Sequence, residues 1–308
     1  RYTLITIVAL SASVMNMLPW GGPVGRASSV IGPSPNEIWA HLLPMQGVAI
    51  VMVFIVAAVF GIVERRRTRG ADGGSGRVDV HEIADQFLST QAEQRARLDL
   101  KLRQGTWVTW ANSIITLVLI GLLVSGLVSP APAFLVGTAV LLVLNFPSMD
   151  GQNDVLRRHA PTALSMAGVI LAAAMFLGIL DGTGMLEEIA LSLIAILPAA
   201  VGPYIHVIVG LLGVPLDLAT STDAYYFSVL PIVQQTAAAF DVSGMGAASA
   251  MIVGNVIGTF VSPFSPALWL ALGLARGEMG KYIRLAFPLC WGFSVVLVLG
   301  GWAFGLFA

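Results

Sequence analysis

The sequence predicts an all-α polytopic membrane protein built as an inverted repeat, and three observations carry that prediction. Hydrophobic residues make up 56% of the 308 and charged residues only 11%, against about 25% charged in soluble domains. Apolar runs long enough for the ~20 helical residues that cross a bilayer core recur along the chain. Two of those runs are interrupted by proline-containing breaks and are expected to run in opposite directions. The formal net charge of −1 points to no nucleic-acid partner. Cys290, the single cysteine, can form no internal disulfide and offers no metal-ligand spacing. It reads as a small buried hydrophobe.

Residues 1–63 read as the end of a first repeat, comprising a broken helix and one span. The apolar run 1–18 meets a break at Pro19 to Pro23, resumes over Val24 to Ile31, and stops at the turn signals Pro33 and Pro35. A clean span covers 43–63. Residues 64–105 form a polar loop with nine Lys/Arg and seven Asp/Glu. Its first part reads as a flexible linker and its second, from His81 to Arg103, as an amphipathic helix. Residues 106–308 read as a second repeat. It has spans at 106–128, 131–147 and 161–180, a short apolar stretch at 186–200 opened by Glu187 and Glu188, and an outer re-entrant hairpin at 201–240. A second broken helix at 245–275 and a last span at 284–307 complete it. The two arms around 201–240 are each short for a full crossing, which suits a hairpin.

Orientation follows from the distribution of Lys and Arg. The basic 64–105 loop is placed in the cytoplasm, and the connection 32–42, without Lys or Arg, outside. Counted onward, Arg157 and Arg158 in a 148–160 loop fall inside, as do Arg276, Lys281 and Arg284. The chain opens on Arg1 directly before an apolar run. It is read as the C-terminal part of a longer chain, with the hairpin of the first repeat absent.

The interrupted segments, "SASVMNMLPWGGPVGRAS" and "MIVGNVIGTFVSPFSPALWLALGL", share a plan. Each carries an Asn in an apolar run, then a break, "PWGGP" or "SPFSP", then a resumed helix. Non-helical backbone at membrane depth is tolerated where it is buried in protein or lines a cavity. Matched broken helices of opposite direction are the sequence pointer to an inverted-repeat secondary transporter. A helix stopped at mid-membrane offers carbonyls to cations, and one restarting offers amides to anions. Arg26, three residues past the first break, adds a guanidinium that can grip a carboxylate with two parallel hydrogen bonds. Its other reading is snorkelling to the headgroups.

The polar knot "TSTDAYYF" is the third element. Thr220, Ser221 and Thr222 can cap the returning helix and still present oxygens to a ligand. Asp217 and Asp223 flank them as candidate cation ligands or proton carriers; the plainer reading of Asp223 is a helix cap. His206, on the descending arm, reads as packed. Asp181 reads as a cap at the outer end of a span.

The strings "MNMLPWGGPVGRA", "FLGILDGTGML", "TSTDAYYFSVLPI" and "VSPFSPALWLALGLA" resemble the bacterial citrate–divalent metal:proton symporter family, within the ion transporter superfamily. That resemblance implies uptake of citrate complexed with Mg²⁺ or Ca²⁺, coupled to protons, by a multi-pass protein of the bacterial cell membrane. It also implies a scaffold, a moving transport domain and a homodimer in the lipid bilayer, with no permanently bound cofactor and no fixed metal site. Two hairpins and two broken helices would meet at the substrate, the inner hairpin lying before residue 1. The expected substrate-binding residues are Asn16, Pro19, Gly21, Gly22, Arg26, Thr220, Ser221, Thr222, Ser262 and Ser265, with Asp217 and Asp223 for ion or proton coupling. One divalent cation reduces the citrate trianion to roughly one negative charge, which one arginine and a helix amide end can balance. The alternatives are a transporter of the same fold for a dicarboxylate or gluconate, or one coupled to sodium. An enzyme is disfavoured, since the chain has no His-Glu-x-x-His helix and no Gly-x-Ser-x-Gly elbow. The "DGTG" at Asp181 has no second copy to supply a paired carboxylate. A channel would equilibrate citrate without accumulating it.

Overall fold

The computed structural model describes residues 2–69, 89, 105–198, 200–275 and 277–307. Among them every regular element is helical. The linker, most of the amphipathic helix expected in the polar loop, and Arg276 lie outside the described residues. Two compact units are present, one formed by Arg1–Phe60 with Val169–Ala308 and one by Gly61–Gly168.

Among the described residues four helices are long and apolar enough to cross a membrane: α3 (Pro35–Arg69), α4 (Thr106–Ser125), α6 (Met149–Gly182) and α14 (Met279–Ala303). Three start earlier than the sequence expectation. The 32–42 connection shrinks to residues 32–34, because helix α3 starts at Pro35, whose fixed φ suits a first turn. The 148–160 loop with Arg157 and Arg158 is instead the first part of α6, with Asp150 in its first turn. Pro44 and Pro161 sit inside these helices without ending them. Helix α14 begins before the expected residue 284.

In the smaller unit, α4 and α5 (Pro130–Asn145) form an antiparallel pair. Asn112 and Asn145 exchange amide hydrogen bonds of 2.8 and 2.9 Å. Gly137 lets Leu119 lie where a Cβ would be only 2.4 Å from its Cδ1. Trp107, Trp110, Leu117 and Leu135 face outward, as expected of helices solvated by lipid.

The larger unit is organised around α12 (Gly244–Asn255), a helix of small residues buried from Gly246 to Asn255. Helix α1 (Tyr2–Met15) and α2 (Gly22–Ile31) form the first broken segment, and α12 and α13 (Pro266–Leu274) the second. Helix α1 packs against α13, and α2 against α12. First half meets second half in both pairings, so the two segments cross antiparallel at their breaks. The breaks sit earlier than the prolines suggest. The first occupies residues 16–21, with Pro23 already in the first turn of α2. The second runs over 256–265, including a 3₁₀ turn at Gly258–Phe260, since α12 ends at Asn255.

The hairpin comprises a 3₁₀ turn (Gly202–Tyr204), α8 (Ile205–Leu211) and α9 (Gly213–Ala219) descending. Its return arm is α10 (Thr222–Ala224), a π-helical turn (Tyr225–Val229) and α11 (Leu230–Ala238). The descending arm bends by 62° between Leu211 and Gly213. The short helix α7 (Met185–Ile196), with Glu187 and Glu188 in its first turn, packs on α11.

Glycine sets the hairpin's distance from α12. A Cβ on Gly254 would lie 1.9 Å from the Gly210 carbonyl oxygen, and one on Gly213 would lie 2.6 Å from the Gly254 carbonyl carbon. Backbones touch here, as at other small-residue helix crossings in membranes. Gly254→Ala should therefore part α8 from α12 and lower the melting temperature in detergent by several degrees, an overpacking cost of about 1–3 kcal/mol. Gly47→Ala in α3, where a Cβ meets nothing within 4 Å, should leave it unchanged or slightly raised. Thermal unfolding of the two variants side by side checks both.

Candidate functional site

The polar centre forms where the hairpin tip meets the two breaks. At the first break, Asn16 reaches across the gap, and its Oδ1 accepts the N–H of Gly22 at 3.2 Å. Gly21 is buried, with the Asn16 carbonyl oxygen 1.9 Å from where its Cβ would stand, so the break is a tight knot that excludes any side chain. Pro19 is buried in the same knot. The amide end of α2 is less open than the sequence suggests. Gly22 N–H is occupied by Asn16, and Pro23 has no N–H to give. Attraction for an anion at this end rests on Arg26 and the helix dipole rather than on a cluster of free amides.

Arg26 points at the hairpin tip. Its Nε donates to Asp223 Oδ1 at 2.6 Å, with the two side chains 21% and 41% exposed. Its Nη1 lies 2.5 Å from the Cβ position of Gly22, so the guanidinium folds back over the start of its own helix. Snorkelling is not what this side chain does. Asp223 is not a cap either. Ser221 takes that role, its Oγ accepting the Ala224 N–H at 3.2 Å, which leaves the Asp223 carboxylate free for Arg26. Thr220, exposed at the tip, donates back to the Leu216 carbonyl at 2.8 Å.

Behind the tip lies Asp217, at 0% exposure. Both carboxylate oxygens lack a hydrogen bond among the described residues, although the side chains of Asn255 and Thr222 stand beside them. Gly258 of the second break packs against it, a Cβ there falling 3.0 Å from the Asp217 Cβ. Ser262 Oγ donates to the Asp217 carbonyl at 2.8 Å and ties the second break to the descending arm. Asn255 Oδ1, also at 0% exposure, is a further oxygen without a donor. Ser265 precedes α13 without making a side-chain cap.

The sequence-derived set thus divides by position. Asn16, Gly22, Arg26, Thr220, Ser221, Thr222 and Asp223 are exposed or half-buried, whereas Pro19, Gly21, Asp217, Ser262 and Ser265 are buried. Asn255, Gly258 and the Tyr225–Tyr226 pair join them without having been expected at the site. The sequence pairs Asn255 with Asn16 as the Asn before each break, which is the signal that could have placed it there. Tyr225 donates toward the carbonyls of Val209 and Met251, 3.3 Å from each, and locks the return arm to α8 and α12. His206 is buried with no partner for Nδ1 among the described residues. Asp181 lies in the last turn of α6, and neither end of the following turn makes a side-chain cap with it. It lines a cavity of about 660 Å³ with Ser29, Phe227, Gln234 and Gln235. None of the expected site residues lines that cavity, so convergence of charge rather than size marks the site.

No cluster of three or more His, Cys, Asp or Glu that could hold a metal exists among the described residues. Apolar helices long enough to span a membrane, together with two antiparallel broken segments and a hairpin that meet at one polar centre, give the architecture of an inverted-repeat membrane protein. Residues 1–258 match the family model described as citrate transporter, and the chain belongs to that family. It is 32% identical over 296 residues to the Mg(2+)/citrate complex secondary transporter of Bacillus subtilis (strain 168), covering 96% of this chain and 65% of the relative. It is 28% identical over 306 residues to a citrate transporter of the same organism, covering 99% and 68%. A third relative there, an uncharacterized transporter, is 30% identical over 297 residues. The chain thus spans about two thirds of the length of these relatives. No solved structure matches it.

Asn16→Ala should release the Gly22 N–H and cost about 1 kcal/mol, the usual worth of a helix cap. Asn16→Asp, which keeps the acceptor, should recover most of it. The melting temperatures of the two variants in detergent read the difference.

Proposed function

We propose that the protein carries citrate across the bacterial cell membrane as a complex with a divalent cation, Mg²⁺ or Ca²⁺, by symport with protons. The observation that carries this reading is Arg26, held half-buried at the start of a broken helix and facing the hairpin tip. One guanidinium suits a substrate with about one net negative charge. The metal would arrive as part of the substrate. Kinship to a Mg(2+)/citrate complex transporter supports the same choice of substrate.

Proton coupling is assigned to the two carboxylates, Asp223 at the tip and Asp217 behind it. A buried carboxylate without a direct cationic partner is costly to keep ionised, which makes Asp217 a candidate carrier of a proton or a cation. With an inside-negative potential, each net positive charge carried inward contributes ~2.3 kcal/mol per 100 mV. One feature favours a second reading, sodium as the coupling ion. Asp217 and Asn255 present buried oxygens with no donor, the hard ligands that a sodium ion takes. Sodium and pH gradients imposed separately distinguish the two.

The full-length protein in vesicles should accumulate labelled citrate under an inward proton gradient when Mg²⁺ or Ca²⁺ is present, and not when the metal is chelated. Equal accumulation without any divalent cation, or none under either gradient, would overturn the proposal. Arg26→Gln should abolish uptake while membrane insertion stays normal, because a carboxylate loses its cationic partner among the described residues of the tip. Wild-type affinity in that variant would remove Arg26 from the site.

A further inference from the structure

The Arg26–Asp223 pair poses a question that substrate binding alone does not answer. The group best suited to hold a substrate carboxylate already holds one, supplied by the protein. The bond runs from Nε to a single oxygen, Oδ1. It joins α2 to the hairpin tip across 197 positions of sequence. Neither side chain is sealed, at 21% and 41% exposure, so water, protons and a ligand can all reach the pair. Ser221 caps the return arm, which leaves the Asp223 carboxylate no other role in the local fold.

We infer that Asp223 is an internal stand-in for the substrate's carboxylate, displaced from Arg26 as it takes up a proton. This rests on the reading of the protein as a carboxylate–proton symporter and supplies its coupling step. In that step the bond from Arg26 Nε to Asp223 Oδ1 breaks and a proton from the aqueous side adds to the Asp223 carboxylate. The guanidinium then donates to a carboxylate of the incoming metal–citrate complex. One proton and one anion enter together, and no charge is left unpaired.

Charge pairing makes the coupling obligatory. The empty carrier has Arg26 paired with Asp223. The loaded carrier has Arg26 paired with substrate and Asp223 neutral. Both can close and reorient. Two other states are penalised. Protonated Asp223 without substrate leaves the guanidinium bare, and substrate without a proton leaves an ionised Asp223 beside an anion. Closing off an unpaired charge is strongly unfavourable.

The charged and titratable groups facing Asp223 reinforce this. Arg26 comes from α2 and Asp217 from α9, while Tyr225 and Tyr226 of the return arm are buried toward Asp217 rather than Asp223. Of these only Arg26 carries positive charge. Once it turns to the substrate, an ionised Asp223 has no cation left among these groups. Asp217 itself makes no bond to Arg26 and cannot act as the stand-in.

Two measurements on the full-length protein test the exchange. In reconstituted vesicles, proton-driven net uptake of labelled Mg–citrate and its one-for-one exchange at equal pH are compared. Net uptake needs the empty carrier to return; exchange does not. In Asp223→Asn the ratio of net uptake to exchange should fall at least about tenfold, since the empty carrier must close on an unpaired guanidinium. An unchanged ratio overturns the inference, and so does loss of exchange in step with net uptake, which would make Asp223 a residue that positions Arg26. The second measurement needs no variant. Mg–citrate added to wild-type protein in weakly buffered detergent solution should take up about one proton per site, by linkage. Binding without proton uptake overturns the inference even if the variant fails to fold. A wild-type protein that neither binds nor exchanges citrate would instead defeat the reading of its substrate.

Discussion

A backbone that stops being helical inside a bilayer must still find a partner for every N–H and C=O, because no water is there to supply one. That requirement governs most of what surrounds the polar centre. The Leu211 carbonyl, at the bend of the hairpin's descending arm, accepts from the Trp291 indole at 2.8 Å. The Gly254 carbonyl near the end of α12 accepts from Ser294 at 2.6 Å, and the Asp217 carbonyl from Ser262 at 2.8 Å. The Val14 carbonyl at the end of α1 accepts from Gln46, and the Pro263 carbonyl in the second break from the Trp269 indole. Each partner comes from a different turn or helix, so each repair is also a tether. Ser294 and Trp291 fasten α14 to the hairpin and α12, and Gln46 fastens α3 to α1. Breaking helices at mid-membrane thus obliges their neighbours to carry polar side chains at matching depth.

Once the carbonyls are satisfied, what remains unpaired carries weight. Most backbone groups around the breaks have partners, whereas Asp217 and Asn255 keep buried oxygens without donors. These lie at the hairpin's descending arm and at the end of α12, two places where helices present their negative ends. On the other side of the tip sits the cation, Arg26, at the positive start of α2. The centre is therefore polarised across the hairpin tip. On the proposed reading, one face would take the anion and the other the proton or cation. The 41%-exposed Asp223 carboxylate stands between them, bonded to the arginine.

Much of this was legible in the sequence, and the reasons are specific. Composition and the lengths of apolar runs announce the spanning helices, since a bilayer imposes length directly. The breaks are visible because proline and glycine are rare signals against apolar text, and the pairing of Asn16 with "PWGGP" repeats in Asn255 with "SPFSP". What composition could not set is where the helices stop. Proline marks where a new helix is able to begin, not where the old one ends, so both breaks start before the residues that announce them. Asn255 ends α12, well short of Pro263. The region of Arg157 and Arg158 looked like a loop because two charges end an apolar run. A helix can continue past the hydrocarbon boundary into water without penalty, and α6 does. The partner of Arg26 was out of reach as well. The sequence supplies a lone arginine and a lone aspartate 197 positions apart, and only the antiparallel crossing of the two broken segments brings the hairpin tip over the start of α2.

The two breaks share an origin in sequence but not in use. The first is short and closed on itself, with Asn16 holding Gly22 and Gly21 excluding side chains. Its product is a rigid platform for Arg26. The second is longer, contains a 3₁₀ turn, and fastens outward through Ser262 and Gly258 to the hairpin's descending arm. A hairpin tied on one side by hydrogen bonds to neutral backbone, and on the other by one solvent-accessible ion pair, has unequal attachments. The neutral ties do not respond to charge, whereas an ion pair is undone when one member gains a proton or its partner finds another anion. Under the exchange proposed above, the tip is released from the α2 side first. An anion arriving there would meet the arginine as the hairpin lets go of it, so that binding and opening would share a single bond.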